Sequence, residues 1–456
     1  MSTLSNYDEV LKLYYLDGIR DQLNNDTILA SQIDTNEKDI SGKDAKIECH
    51  ITRNSGIGAR ADGGSLPTAG YQGFKQATVP MKYVYGRCNF TGPTIAATRD
   101  DKGAYARVID TEIRGVVTDI QKEVNRMLWG TGYGVLGRWR TGSASAHTVQ
   151  KAYRANTGGG DGFGSTFGAK YMTEGRTVSV VVPGSASSSK FTVSTVDGDS
   201  LTSTISTGTT YDTVTFSANP TVFEDAGTYY CRPASVASVT ASSAAGAARL
   251  EMMGLRGIVT NTDLDEATLF SVRGDGSTAN YGLSVNDPLQ GLDVSTYPIW
   301  KSVVKTHGSG RYAGQRALTF KLMQEVFDEV EENAGVGAGP NLILTSRAIR
   351  REYLELCRAD RRSVNTMQLD GGWTALDYNG VHLVVDNDAI DGEIYFLTTS
   401  DLQLYRMSDY DWMQKDGAIL SRVSGYDQYE AVLFRYAELG CTRRNTQGVL
   451  CDLVYS

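Results

Sequence analysis

Asp101–Trp129 reads DKGAYARVIDTEIRGVVTDIQKEVNRMLW. Apolar side chains fall at Tyr105, Val108, Ile109, Ile113, Val116, Val117, Ile120, Val124, Met127 and Leu128, the three-and-four spacing that lines one face of an α-helix. Such a face has to be buried. Asp100 and Asp101 can cap the amino end, where free N–H groups and the positive dipole end favour carboxylates, and Gly130 can stop the helix by taking the left-handed conformation. At 1.5 Å per residue the element would run about 40 Å, longer than the core of a small domain is wide. It suits a spine across which other parts lie.

The 456 residues allow two or three domains and a substantial core. Cys49, Cys88, Cys231, Cys357, Cys441 and Cys451 show no CxxC spacing, so neither a zinc site nor a disulfide framework is expected, and a reducing compartment fits. A net charge of −9 excludes a protein whose task is to grip nucleic acid by neutralising phosphates, though contact without tight binding stays open. MSTLSNYDEV carries no basic segment followed by an apolar run, and no stretch reaches the length of a membrane span. No export signal or membrane association is expected.

Upstream of the spine, residues 1–48 show a short helical pattern at Tyr7–Leu16 and then, from Asp17 to Glu48, eight acidic residues against four basic. This is an arm that can become ordered by lying along a neighbouring subunit. Residues 49–92 read as a long hairpin: strand-like CHITR, the Gly-rich NSGIGARADGGSLPTAGYQG, then FKQATVPMKYVYGRCNF. Phe74, Val79, Met81, Tyr83 and Tyr85 place one apolar face on the second strand. Two strands alone are marginal in water, so the hairpin needs a surface, and no partner strand adjoins it in sequence. That surface can belong to another molecule.

Downstream, Gly132, Gly134 and Gly137 match G-x-G-x-x-G but follow a helix, where a dinucleotide fingerprint needs a strand before it. The run reads as a flexible exit from the spine, and glycine richness continues through Asn156–Gly164. Residues 170–235 turn to short Ser/Thr/Val alternations, a small β insertion closed by the linker Ala234–Ala248. Asp225–Cys231 matches the tyrosine-corner signature of immunoglobulin domains, yet the upstream cysteine and tryptophan of that core are missing. RLEMMGLRGIVT reads as a buried return strand, and the Arg273–Asp275 tripeptide as chance. Two helices follow, one acidic around Phe327 (Glu325, Asp328, Glu329, Glu331, Glu332) and one basic around Tyr353 (Arg347, Arg350, Arg351, Arg358, Arg361, Arg362). Between them GPNLILTS gives a buried strand ending at a cap, Thr345 or Ser346. The last ninety residues are strand-rich, and the whole reads as α+β.

No catalytic constellation stands out. His50, His147, His307 and His382 have no ligand spacing, and there is no nucleophile elbow or phosphate loop. No enzyme, cofactor or metal is expected.

The order of parts resembles the major capsid proteins of tailed bacteriophages, the Hong Kong 97 fold. The likeness is carried by LPTAGYQGF (66–74), VYGRCNFTGPTIAATRDDKGAYARVIDTEI (84–113), NRMLWGTG (125–132), EMMGLRGIV (251–259), and the tail from GVHLVVDND through YRMSDYDW to LSRVSGYDQYEAVLFRYAEL. It implies an N-terminal arm (1–48), an extended E-loop (49–92), a peripheral domain with the spine helix (93–169) and its return segment (249–312), a β-rich insertion with linker (170–248), and an axial domain with C-terminal strands (313–456). It further implies self-assembly, as hexamers and pentamers, into an icosahedral head shell around double-stranded DNA, assembled in the host cytoplasm. A portal protein, a separate scaffolding protein and a decoration protein are the implied partners.

Inter-subunit contacts are expected at Arg60, Phe74, Lys75, Lys82, Arg350, Arg351, Glu329 and Glu332, with the acidic helix of one subunit approaching the basic helix of the next. Some relatives join an E-loop lysine to a neighbour's asparagine. Lys75 and Lys82 lie in that region but match no cross-linking position, so a monomer band is expected in denaturing electrophoresis. Two other readings compete: an encapsulin-like nanocompartment with the same fold, and a β-rich adhesion or carbohydrate-binding protein built on the insertion, which leaves the spine unexplained.

Overall fold

Leu29 and Ile33 bring the chain into the core well before the spine begins. The computed structural model describes residues 28–93, 102–143, 146–150, 171–172, 174–181, 188–197, 211–218, 229–231, 249–262, 288–307, 316–335, 337–359, 366–368, 374–414 and 419–454. The expected Tyr7–Leu16 helix, the Asp100 and Asp101 caps, the Asn156–Gly164 run, the Ala234–Ala248 linker and the Arg273–Asp275 tripeptide lie outside them. Helix α1 (Ile28–Gln32) packs against the spine. Strands β1 (Asp34–Asn36), β2 (Ile40–Ser41) and β3 (Asp44–Thr52) follow, Gly42 taking the left-handed conformation (φ 68°) that the tight β2–β3 turn requires. From residue 28 onward, then, the expected arm is folded onto its own chain. The hairpin's first strand starts at Asp44, before the expected boundary at 49.

Its second strand is two strands, β4 (Gly73–Pro80) and β5 (Lys82–Thr91). β4 pairs antiparallel with β3. At Met81 the ladder breaks, the Met81 N–H turning to the Lys43 carbonyl at 3.0 Å. Ala77, Val79 and Met81 point inward before the break; Val84, Cys88 and Phe90 do so after it, leaving Tyr83 and Tyr85 exposed. The single apolar face expected across Val79–Tyr85 is therefore corrected to two faces. With a side-chain period of two, one irregular residue flips every position beyond it.

The spine is helix α2 (Lys102–Trp129). Ile113, Val117, Ile120, Val124, Leu128 and Trp129 are buried, and Gly86 of β5 lies so close beneath that an added Cβ would meet Val116 Cγ1 at 2.9 Å. Gly130 does not take the expected left-handed conformation. Its N–H closes a tight turn on Met127 O (2.9 Å), and positive φ falls instead at Gly132 (84°) and Gly134 (74°). Nor is the exit loose, since Tyr133, Val135 and Leu136 are buried.

They lead directly into β6 (Val135–Ser143) and β7 (Ala146–Gln150). These close an antiparallel barrel with β8 (Thr177–Val181), β9 (Ser188–Asp197), β10 (Tyr211–Phe216) and β11 (Tyr229–Cys231), in the order β10-β7-β6-β11-β8-β9. The insertion thus draws strands from residue 135 on, earlier than the expected 170, and it is a closed barrel where an immunoglobulin domain would be a sandwich. Val149, Val178, Val180, Val193, Val214 and Phe216 fill it.

Residues 251–260 are buried throughout, but they form a short helix, α3 (Leu255–Ile258), where a strand was expected. An all-buried apolar run does not distinguish the two. Next come β12 (Val303–Lys305), α4 (Phe320–Ala334), β13 (Leu342–Thr345), α5 (Arg347–Ala359), β14 (Thr366–Gln368), β15 (Thr374–Tyr378), β16 (Val381–Val385) and β17 (Ile394–Leu397). β18 (Leu402–Trp412), β19 (Ser421–Arg422), β20 (Gln428–Cys441) and β21 (Gly448–Leu450) complete the described chain. Thr319 caps α4, its Oγ1 accepting the Leu322 N–H at 3.3 Å. At α5 the Ser346 carbonyl takes the Arg350 N–H (3.1 Å), while its hydroxyl makes no hydrogen bond.

Among the described residues, β2-β3-β4 form one sheet and β12-β21-β17-β13-β16-β15-β14 a second. A third runs β1-β18-β20-β19, with β5 also paired to β20. This last sheet lies on the spine, burying Val84, Cys88, Ala431 and Leu433. Helices α4 and α5 cover one face of the seven-stranded sheet through Val326, Val330, Ile349 and Tyr353. The expected axial segment 313–456 is accordingly shared, because β18, β19 and β20 belong to the spine's sheet. The fold class is α+β, as expected.

Candidate assembly surfaces

Ion pairs and buried amides fix the spine's carboxyl half. Arg126 is fully buried and holds both Glu251 oxygens at 2.7 Å from Nη2 and Glu123 at 3.0 Å from Nε; Glu123 also takes Arg176 of the barrel at 3.2 Å. The residue preceding Arg126, Asn125, donates to Asp388 (2.6 Å) and Asp386 (3.2 Å), and Tyr171 donates to Asp388 at 2.5 Å. Burial, with the neighbouring Asp388 charge, raises the Asp386 carboxyl above the usual range. Spine, return segment, barrel and seven-stranded sheet are thereby tied into one frame.

The root of the hairpin is held by another buried carboxylate. Glu438 accepts N–H groups from Met253 (2.5 Å) and Leu439 (3.0 Å), and Lys82, the first residue of β5, donates to the Arg249 carbonyl. Desolvation pushes Glu438 up to about 7, the Lys82 charge opposing it.

From that root the β3–β4 ribbon extends to the loop 53–72. Along it Ile57 is 87% exposed, Leu66 86%, Tyr71 86% and Phe74 63%. The loop is nonetheless shaped, with Asn54 Oδ1 accepting the Gly56 N–H (2.7 Å) and Gly64 N–H reaching Ala61 O (2.9 Å). Large apolar side chains gathered on a thin ribbon mark a contact surface.

A second apolar surface covers the outer face of β5 and β20. Tyr436 lies edge-on to Tyr83 (centroids 5.0 Å) and Tyr85 (6.0 Å) and beside Phe434 (4.9 Å). The Tyr85 hydroxyl meets that of Tyr436 at 3.4 Å, and this hydrogen bond raises it to about 12. Arg87 and Glu430 pair at 2.6 Å at one end.

The residues singled out from sequence do not form one site. Arg60 is exposed in the loop, and Phe74 is exposed beside His50. The Lys75 ammonium sits 5.7 Å above the Tyr297 ring of its own chain. Lys82 corrects the expectation, since its ammonium turns inward to Arg249 and Glu438. Glu329 pairs with its own Lys305, Glu332 is exposed, Arg351 is exposed, and Arg350 is half-buried with its Nε inside. Sequence reading missed the Tyr83, Tyr85, Phe434, Tyr436 group, which the flip at Met81 creates. Among the described residues no group of His, Cys, Asp and Glu could hold a metal ion, and no helix is long and apolar enough to cross a membrane.

No protein-family model matches the chain, and no curated protein does. Solved structures do. The capsid asymmetric unit of cyanophage A-1(L) aligns over 94% of this chain and 93% of its own at 13% identity, with a TM-score of 0.53. The capsid of an empty GTA particle aligns over 93% and 89% at 9% identity (TM-score 0.44), and that of Myoviridae phage XM1 over 93% and 91% at 7% (TM-score 0.41). The first carries the fold assignment: the chain has the Hong Kong 97-type fold of tailed-phage capsid proteins.

Proposed function

We propose that this chain is the major capsid protein of a tailed phage, whose copies assemble as hexamers and pentamers into an icosahedral head around double-stranded DNA. The observation that carries the reading is the ribbon from Asp44 to Pro80, which presents Ile57, Leu66, Tyr71 and Phe74 to solvent. A subunit leaves such surface bare only if a neighbour covers it. The capsid fold supports the same reading, as does the net charge of −9, which suits a lining that meets packaged DNA without immobilising it. In this reading the chain before the ribbon is an N-terminal arm, folded from residue 28 onto its own subunit, the ribbon is an E-loop lying over an adjacent subunit, and the barrel is an insertion. A portal, a separate scaffolding protein and a decoration protein are its partners, and assembly takes place in the host cytoplasm.

Electron microscopy of the purified chain, alone and with a scaffolding protein, tests this. Closed shells or capsomer rings are expected, of a diameter suited to a genome. Shells that load a protein cargo and no nucleic acid would identify a nanocompartment. A chain that stays monomeric under both conditions would overturn the shell reading.

A further inference from the structure

We propose that copies of this chain meet head to tail through opposite charges, the acidic helix α4 of one subunit against the basic helix α5 of the next. The proposal rests on the shell reading and names one of its contacts.

The opposite charges lie on two neighbouring helices of one sheet. α4 carries five carboxylates against one lysine, and α5 four arginines against two glutamates. Both pack on the same face of the seven-stranded sheet, whose strands span roughly 29 Å from β12 to β14 at the usual spacing. Glu329 pairs with Lys305 on the edge strand β12, and Val326 and Val330 lie over Gly448 of β21. That places the carboxyl half of the acidic helix toward the β12 end. Tyr353 of α5 donates to the Asp377 carbonyl of β15 (2.9 Å), toward the β14 end. The amino-terminal half of α4 reaches the same strand, Tyr378 donating to Gln324 at 2.9 Å and Phe320 standing 6.0 Å from the Tyr353 ring. The two helices therefore lie side by side, with the carboxyl half of α4 farther toward β12.

On each helix the charges away from the sheet are exposed: Glu325, Asp328 and Glu332 on α4; Arg347, Arg351 and Arg358 on α5. The half-buried Arg350 is replaced in the contact by its exposed neighbours. A two-fold pairing also matches acid to base and base to acid, but it ends at a dimer, whereas the shell reading needs a contact that continues from subunit to subunit. A heterologous contact that repeats in one direction and closes as a ring meets that need.

The test uses two full-length variants, Glu325→Lys with Glu332→Lys, and Arg347→Glu with Arg358→Glu. Circular dichroism and thermal unfolding matching the unmodified chain establish that each folds. Each alone should lose about tenfold or more of its assembled fraction. Mixed together they should recover rings of an even number of alternating subunits, because every contact is again between opposite charges, while five-membered rings and the closed shells that need them stay absent. Unchanged assembly of either folded variant alone, while the unmodified chain forms shells, overturns this contact and leaves the shell reading standing. Two folded variants that fail both alone and mixed also overturn it. An unmodified chain that never associates overturns both.

Discussion

Glu438 of β20 accepts the Met253 amide hydrogen at 2.5 Å in the interior, close to the Lys82 charge at the root of the ribbon. Burial raises its carboxyl from an ordinary 4.5 to about 7. Between those values the folded chain holds a proton that the unfolded chain has released. The stabilisation linked to that proton is full below pH 4.5 and is lost as pH rises through 7. Glu438→Gln should abolish this slope, worth about 3 kcal/mol at most, and leave stability flatter from about pH 4.5 to about 7.5 than in the unmodified chain. Urea unfolding across that range measures it. Equal slopes in the two proteins would mean that Glu438 stays charged when folded.

Arg126 and Glu251 form the buried ion pair that joins the spine to the return segment. Removing one partner leaves an uncompensated charge inside, so Arg126→Met should destabilise the subunit by about 3–5 kcal/mol. Arg126→Met combined with Glu251→Met should cost less than Arg126→Met alone, although it removes more of the native contact. Chemical denaturation of the single and double variants decides it. A double variant that is the weaker of the two would show that the pair stabilises beyond its desolvation cost.

These two carboxylates show where the sequence was legible and where it was not. The apolar stripe of the spine predicted its helix to within a residue, because Ile113, Val117, Ile120, Val124 and Leu128 repeat with the helical period. Asn125 and Arg126 lie in the same stretch outside its apolar set, yet both are buried, paired with Asp386, Asp388 and Glu251 far away in sequence. No local pattern announces such a pairing. The same holds for Met81: alternation on its two sides is clear, but only the departure of β5 to β20, far downstream in the chain, shows that the alternation slips. The barrel's first two strands were hidden for a different reason, the glycines at 132 and 134 resembling a loose loop although each takes a defined left-handed conformation.

Gly254 shows the same long-range dependence. A Cβ built there would collide with Met127 O and stand 2.5 and 2.6 Å from the N and O of Gly130. All three obstacles are backbone, which cannot swing aside as a side chain can. Gly254→Ala should therefore destabilise by about 1–3 kcal/mol or more, by forcing α3 away from the end of the spine. Gly175→Ala, at φ 76° but with nothing near its Cβ, should cost about 1 kcal/mol from backbone strain alone. Thermal unfolding of both variants checks the order; a Gly254→Ala chain as stable as the unmodified one would mean that α3 and the spine separate easily.

The exposed ribbon separates stability from assembly most cleanly. Ile57, Leu66 and Tyr71 touch little of their own subunit, so replacing all three with Ser should shift subunit stability by no more than about 0.5 kcal/mol each. If a neighbouring copy covers them, the same change removes apolar area that only assembly buries, at roughly 25 cal/mol per Å². Repeated at every subunit of a closed shell, that loss should abolish particles while the monomer's unfolding curve barely moves. The comparison needs the unfolding midpoint, the sedimentation profile and electron micrographs of one preparation. Normal particles from the triple variant would place the covered surface elsewhere, with the aromatic group around Tyr436 next to be substituted.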